Sequence, residues 1–265
     1  MRYRIVDVFS NRRFAGNALC VVLGKCDEAL MPLIAREVNL SETTFPTVTV
    51  PGRAYTMRIF VPGAEVPFAG HPSLGTAWVL GAGRWQQTTA GGVVTVEADA
   101  RGAVMSQPDP TFTEVETDGV AEALGAVAVE GAWLTVVGGT NHVLVPTTAR
   151  LDTLDPNLEA VARVAHAKGG LSLVPFRRVD DHTLQMRLFA PGVGVPEDPG
   201  SGSAAGPVGL LARRLWITDS DVTIRSGIEM GRPCSIEVHA EAGEIRVGGA
   251  VTAVAEGRFL AGGNG

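Results

Sequence analysis

Short stretches of alternating polar and apolar residues recur along this chain, and this alternation is the period of a half-buried β-strand. It predicts strands near 2–9, 19–23, 43–50, 53–61, 93–98, 102–107, 142–146, 171–176 and 183–190, and a meander of strands over 222–260. Helical spacing, or a glycine turn before an apolar run, predicts helices over 27–38, 70–83, 119–125, 156–167 and 202–215. This mixture favours the α+β class, in which each half of the chain is a mostly antiparallel or mixed sheet wrapped around a helix.

Two segments of the chain resemble each other, RIFVPGAEVPFAGHPSLGTAWVL at 58–80 and RLFAPGVGVPEDPGSGSAAGPVGLLA at 187–212. The matches are Arg58 with Arg187, Phe60 with Phe189, Pro62-Gly63 with Pro191-Gly192, Val66-Pro67 with Val195-Pro196, and, after an insertion, Gly70-His71 with Gly202-Ser203. A repeat at half the chain length indicates a duplication. We therefore expect two similar halves at 1–115 and 116–265, related by a pseudo-twofold axis, with the final strands free to cross over to the first half.

Each copy of the repeat runs from a strand through a glycine turn into the start of a helix. The first backbone N–H groups of a helix lack intrahelical partners and lie at the positive end of the helix dipole, so they bind carboxylates. Glycine at the turn lets a ligand approach the backbone closely. We expect the two turns to face each other across a cleft between the halves and to hold one small carboxylate substrate.

Charge and composition exclude several classes of partner. The net charge is −6 and no Lys/Arg run stands out, so we expect no nucleic-acid partner. No apolar stretch reaches the roughly 20 residues of a membrane-spanning helix. The charged N-terminus lacks the apolar core of a signal peptide, so we expect a cytoplasmic protein with no membrane partner. The histidines and cysteines form no CxxC, HxxxH or HExxH pattern, so neither a metal site nor a disulfide framework is predicted.

A proton-transfer site needs a donor and an acceptor, and five side chains qualify: His71, Glu197, Asp198 and Ser203 in or beside the turns, and Glu42 in NLSETTFP. Burial of Glu42 against Leu40 and Phe45 would raise its pKa and let it take and return a proton near neutral pH. The residues alone also allow a plainer interpretation. In that interpretation Glu42 is a surface carboxylate, His71 bonds to nearby backbone, and Asp198 and Ser203 are turn and cap residues.

Five runs of the sequence resemble the PhzF-like family, the phenazine biosynthesis-like isomerases with a diaminopimelate epimerase-like fold. They are VDVFSNRRFAGNALCVVL (6–23), NLSETTFP (39–46), RIFVPGAEVPFAGHPSLGTA (58–77), EDPGSGSAAGP (197–207) and GIEMGRPCSIEV (227–238). The resemblance implies two similar halves, an active site in the cleft between them, no cofactor and no metal. Members of the family are commonly homodimers, which we expect here by analogy.

The resemblance also assigns roles to residues. It implies that Glu42 is the general base and acid, that His71 and Asp198 are further catalytic residues, and that Ser203 is at the second helix start. The backbone at Gly70-His71 and Gly202-Ser203 is implied to hold the substrate carboxylate, and Asn17, in the first run, is added to the substrate-binding residues.

Amino-acid racemases of the same fold use a cysteine at each helix-start turn, and neither turn here contains one. The chemistry expected is therefore a one-sided proton shift by Glu42 along a conjugated system of a small unsaturated carboxylate. Two alternatives stay open. The first is an epimerase or racemase of an amino or hydroxy acid, with His71 or Asp198 as second base. The second is a non-catalytic small-molecule binding protein on the same scaffold.

Overall fold

The structure is a computed structural model that describes residues 1–216, 219–241 and 243–260, and its chain divides into two compact units. Unit 1 consists of Met1–Met105 together with the chain from Gly249 onward, and unit 2 consists of Ser106–Gly248. The last part of the chain belongs to unit 1 because the final strand of the chain pairs with the first strand.

The first 107 residues contain eight strands and two α-helices. The strands are β1 (Arg2–Val8), β2 (Asn17–Leu23), β3 (Glu42–Val50), β4 (Ala54–Val61), β5 (Ala64–Val66), β6 (Gly83–Thr89), β7 (Gly92–Ala98) and β8 (Gly102–Gln107). The helices are α1 (Met31–Val38) and α2 (Gly70–Leu80). Pairs β2–β3 and β4–β6 are parallel, while β1–β2, β3–β4, β4–β5, β6–β7 and β7–β8 are antiparallel.

The second half of the chain repeats this plan. Its strands are β9 (Thr111–Glu114), β10 (Trp133–Val137), β11 (Thr140–Pro146), β12 (Ser172–Arg178), β13 (Thr183–Met186), β14 (Leu188–Ala190), β15 (Val195–Asp198), β16 (Asp221–Ser226), β17 (Cys234–Glu241) and β18 (Glu244–Arg258). Its helices are α3 (Val120–Ala123), α4 (Leu158–Ala167) and α5 (Gly202–Leu215). Again two pairs are parallel, β11–β12 and β13–β16, among antiparallel neighbours. Strand β9, which the sequence placed before the boundary at residue 115, pairs with β10 in unit 2.

Each unit is built around one buried helix. In unit 1, α2 packs against β1, β2, β3 and β7, and in unit 2, α5 packs against β10, β11, β12, β16 and β17. Small residues permit this approach: a Cβ at Gly75 would lie 2.6 Å from a methyl of Leu19, and one at Gly209 would lie 2.9 Å from a methyl of Val238. The α+β class with a central helix in each of two similar units is confirmed. Among the helices of the described residues, none combines the length and apolar character needed to cross a membrane.

The sequence repeat corresponds to a repeated local structure. In unit 1, Arg58 donates two hydrogen bonds to the Glu65 carboxylate, both 2.7 Å, and its guanidinium lies 5.2 Å from the Phe60 ring centre. In unit 2, Arg187 donates to both oxygens of Glu197 at 2.8 and 2.9 Å, and its guanidinium lies 4.8 Å from the Phe189 ring centre. The same arginine fork holds the hairpin before each central helix, which supports the duplication.

Some element boundaries differ from those predicted, for local reasons. Helix α4 begins after Asn157, whose side chain accepts a hydrogen bond from the Ala160 N–H, and not at Asp155-Pro156. The predicted strand 183–190 is interrupted at Arg187, whose side chain is buried to pair with Glu197. Strands β6 and β10 were missed because polar residues are buried in them, which weakens the apolar alternation on which strand prediction depends.

Candidate active site

The carboxylate of Glu42 and the imidazole of His71 are adjacent in unit 1. Glu42 is the first residue of β3, in register with Leu19 of the parallel strand β2, and His71 is in the first turn of α2. His71 Nε2 lies 3.3 Å from Glu42 Oε2, and the side chains are only 3% and 15% exposed. A hydrogen bond between Thr44 and Thr76 (2.8 Å) ties β3 to α2 and keeps the pair together.

Asn17, the first residue of β2, contacts the other nitrogen of the His71 ring. Its Nδ2 lies 3.2 Å from His71 Nδ1. Burial lowers the pKa of His71 to about 3, against the raising effect of a hydrogen bond to the backbone of Ala18, so the ring is neutral at neutral pH. The neutral ring has a single proton, and the nitrogen that carries it decides whether Nε2 presents a hydrogen or a lone pair to Glu42. Asn17 thus contacts His71, and the expected binding of substrate by Asn17 stays a prediction.

A buried polar network holds the first turn of α2 in place. Ser73 Oγ donates to the Ala69 carbonyl (2.9 Å), Gln87 Nε2 donates to Ser73 Oγ (2.9 Å), and the Tyr55 hydroxyl donates to Gln87 Oε1 (2.7 Å). The N-cap residue Ala69 has no side-chain oxygen that could accept from the first amides of the helix. These hydrogen bonds hold the turn that includes Gly70 and His71 in place. Its first backbone N–H groups have no side-chain cap, as in helix starts that bind anions.

Unit 2 contains the second turn that the repeat predicted. Asp198 ends β15, and its Oδ1 accepts the N–H of Gly200 at 3.2 Å. Ser201 is the N-cap residue of α5, and Gly202 begins the helix, with its carbonyl accepting from Gln107 Nε2 at 2.7 Å. Glu197, the remaining candidate, forms an ion pair with Arg187, which donates to both of its carboxylate oxygens.

Ser203, in the first turn of α5, belongs to a chain of buried hydrogen bonds that the sequence analysis missed. Its Oγ lies 3.0 Å from His142 Nε2 and 3.1 Å from Ser201 Oγ, while His142 Nδ1 lies 2.8 Å from Ser172 Oγ. Burial lowers the pKa of His142 to about 4, so this ring is also neutral at neutral pH. The available signal was a histidine at the start of the otherwise apolar run HVLVP.

The model of the phenazine biosynthesis-like protein family matches residues 6–257. The chain belongs to this family. One curated relative, the trans-2,3-dihydro-3-hydroxyanthranilate isomerase of Pseudomonas aeruginosa, is 35% identical over an alignment of 281 positions that covers 97% of this chain and 98% of that protein. This relationship makes the chain an isomerase, as its resemblance to the PhzF-like family implied.

Solved structures show the same fold. A PhzF-family phenazine biosynthesis protein from Bacillus anthracis superposes with a TM-score of 0.84 at 22% identity, covering 98% of this chain and 99% of that one. A hydroxyproline epimerase from Agrobacterium vitis superposes with a TM-score of 0.65 at 12% identity, covering 97% and 91%. At these identities the likeness shows the fold alone, and it confirms the diaminopimelate epimerase-like fold expected for a phenazine biosynthesis-like protein.

None of the three cysteines of this family member is in the sequence of either helix-start turn. Cys20 is inside β2, where burial raises its pKa to about 12, and Cys234 begins β17. Cys26 precedes the turn that leads into α1. Within residues 1–216, 219–241 and 243–260, no three His, Cys, Asp or Glu side chains are grouped as metal ligands.

Proposed function

We propose that the protein catalyses a proton shift on a small, unsaturated carboxylate, with Glu42 as the group that removes and returns the proton. The observation that carries the proposal is the contact between the Glu42 carboxylate and the neutral imidazole of His71. The trans-2,3-dihydro-3-hydroxyanthranilate named for the relative is a compound of this class, and we propose it as the substrate.

A mostly buried carboxylate suits both steps of such a reaction, the removal of a proton and its return. Glu42 Oε1 takes a proton from one carbon of the substrate, the double bonds move along the conjugated system, and the carboxylic acid returns the proton to another carbon. We propose that His71, in the tautomer with its proton on Nε2, donates to Oε2 during the reaction and orients the carboxylate without neutralising it. Atoms and oxidation level are conserved in this shift, so we propose that the reaction requires neither a cofactor nor a metal.

The first turn of α5 is proposed to bind a carboxylate. The backbone N–H groups of Gly202 and Ser203 lie at the positive end of a 14-residue helix. The Ser201 hydroxyl contacts the Ser203 hydroxyl and does not cap these amides. The corresponding turn of α2, at Gly70 and His71, is proposed to bind in the same way, and Asp198 is proposed to support the proton shift electrostatically.

The experiment is turnover of trans-2,3-dihydro-3-hydroxyanthranilate by the purified protein in D₂O, followed by NMR of the product. We expect the double bonds to move and deuterium to appear at the carbon that receives the proton, because we propose that the Glu42 carboxylic acid, at 15% exposure, exchanges its hydrogen with D₂O before it protonates that carbon. Inversion of one stereocentre with the double bonds unmoved would replace the proposal with an epimerase, in which Asp198 or His71 is the second base. Binding of the compound without any exchange would favour a binding protein.

The homodimer and the cytoplasmic location expected from the sequence stay predictions.

A further inference from the structure

His142 is a buried histidine outside the proposed proton-shuttle pair, and both of its ring nitrogens lie within hydrogen-bond distance of serine hydroxyls. It lies on β11 in register with Ser172 of the parallel strand β12, so the two side chains share one face of the sheet. Its Nδ1 is 2.8 Å from Ser172 Oγ and its Nε2 is 3.0 Å from Ser203 Oγ. All three residues are buried, with exposures of 4%, 1% and 7%.

A neutral imidazole carries one ring proton, so this chain of hydrogen bonds has only two possible directions. With the proton on Nδ1, the ring donates to Ser172 and accepts from the Ser203 hydroxyl. With the proton on Nε2, Ser172 donates to the ring and the ring donates to Ser203. Burial keeps the pKa of His142 far below neutrality, so the doubly protonated ring does not compete.

The surroundings of Ser172 favour the second direction. Within the described part of the chain, His142 Nδ1 is the acceptor found within hydrogen-bond distance of Ser172 Oγ. If Nδ1 carried the proton, the buried Ser172 hydroxyl would have no acceptor for its own hydrogen, at the free-energy cost of an unsatisfied buried donor. Ser203 has a second neighbour, Ser201 Oγ at 3.1 Å, which can accept its hydrogen when no ligand is bound.

We propose that His142 is a positioning residue that sets the direction of the Ser203 hydroxyl. Its Nε2–H group donates to Ser203 Oγ, which forces the Ser203 hydrogen away from the ring and makes it available to a substrate carboxylate. In the opposite direction Ser203 would present lone pairs to an anion, and the contact would be repulsive. This inference rests on the proposed binding of a carboxylate at the first turn of α5.

Three variants separate positioning from a structural role, with trans-2,3-dihydro-3-hydroxyanthranilate as the substrate. His142→Phe removes both ring nitrogens and is expected to raise KM by roughly 10- to 100-fold, the loss of one hydrogen bond to a charged group, with a smaller change in kcat. His142→Gln retains an amide N–H that can donate to Ser203, and is expected to recover part of the wild-type KM. Because His142 acts through Ser203, the double variant H142F/S203A should bind no more weakly than Ser203→Ala alone.

The tautomer can be measured without catalysis, in the wild-type protein at neutral pH. Long-range ¹H–¹⁵N correlation of the His142 ring is expected to show a protonated Nε2 and an unprotonated Nδ1. A protonated Nδ1 would overturn the proposal even if His142→Phe fails to fold. A wild-type KM in a folded His142→Phe, alongside normal wild-type turnover, would also overturn it and leave the proposed function standing. If the wild-type protein turns over no substrate, the proposed function fails, while the tautomer still tests the positioning.

Discussion

His71 Nε2 lies 3.3 Å from Glu42 Oε2, and both side chains are largely withdrawn from water. Burial lowers the pKa of His71 to about 3, so the ring faces the carboxylate as a neutral imidazole and not as a cation. A full ion pair would stabilise the ionised carboxylate strongly and make it a weaker base. In the proposed mechanism, a neutral imidazole orients Glu42 while leaving its basicity available for proton transfer.

The proposed role of His71 as a hydrogen-bond donor to Glu42 predicts a graded response to substitution. His71→Leu removes the Nε2–H group, and we expect kcat to fall by roughly 10- to 100-fold, in the range of one lost hydrogen bond to a charged group. His71→Gln keeps a donor and should retain more activity than His71→Leu. The control is His166→Leu, at an exposed position of α4, whose steady-state rate should equal that of the wild type. Equal activity of the wild type and His71→Leu would contradict the role.

The effect of the negative charge of Asp198 can be separated from its hydrogen bond within the turn. Asp198→Asn keeps an oxygen that can accept the Gly200 N–H, so the melting temperature should change little, while loss of the negative charge should lower kcat. Asp180 is a matched control because its Oδ1 accepts an N–H two residues later, from His182, in an exposed turn. We expect Asp180→Asn to leave kcat unchanged, and an equal effect of the two substitutions would argue against a catalytic Asp198.

Much of the candidate site could be predicted from the sequence, because several of its residues lie in the two repeated turn motifs. The repeat located Gly70-His71 and Gly202-Ser203 at helix starts, and the structure confirms both positions. His142 and Ser172 could not be found in this way, since their contact joins two strands that are parallel neighbours only after folding. Burial determines the protonation state of both histidines, and burial depends on tertiary packing, which local sequence patterns do not predict.

The buried histidines predict a stability that falls on acidification. Their folded-state pKa values, about 3 for His71 and about 4 for His142, lie below the ordinary value near 6.5, so the unfolded chain binds protons first. The contribution of these histidines to the free energy of unfolding is therefore fully present above pH ~6.5. It declines as the pH falls toward their folded-state pKa values.

One variant isolates this effect for His142. His142→Gln has no imidazole to protonate, so between pH 7 and pH 5 it should lose about 2 kcal/mol less unfolding free energy than the wild type. Urea unfolding at the two pH values measures the difference. Identical losses for the two proteins would mean that His142 is protonated as readily in the folded state as in the unfolded state.

The two arginine forks form a natural comparison of a buried and an exposed ion pair. Arg187 and Glu197 have side-chain exposures of 9% and 17%, against 37% and 41% for Arg58 and Glu65. Arg187→Ala leaves a buried carboxylate unpaired and should cost about 3–5 kcal/mol of unfolding free energy. Arg58→Ala should cost about 1 kcal/mol or less, because water replaces the lost partner. Chemical denaturation of both variants tests this order, and a larger loss for Arg58→Ala would contradict it.

The proton shuttle itself is tested most directly by solvent exchange in Glu42→Gln. In D₂O, the wild type should place deuterium from solvent in the product of trans-2,3-dihydro-3-hydroxyanthranilate, and so should Glu37→Gln, a control on the exposed face of α1. We predict that a folded Glu42→Gln forms no product and incorporates no deuterium above the uncatalysed rate. Turnover and deuterium incorporation at the wild-type level in Glu42→Gln would contradict the assignment of Glu42 as the base.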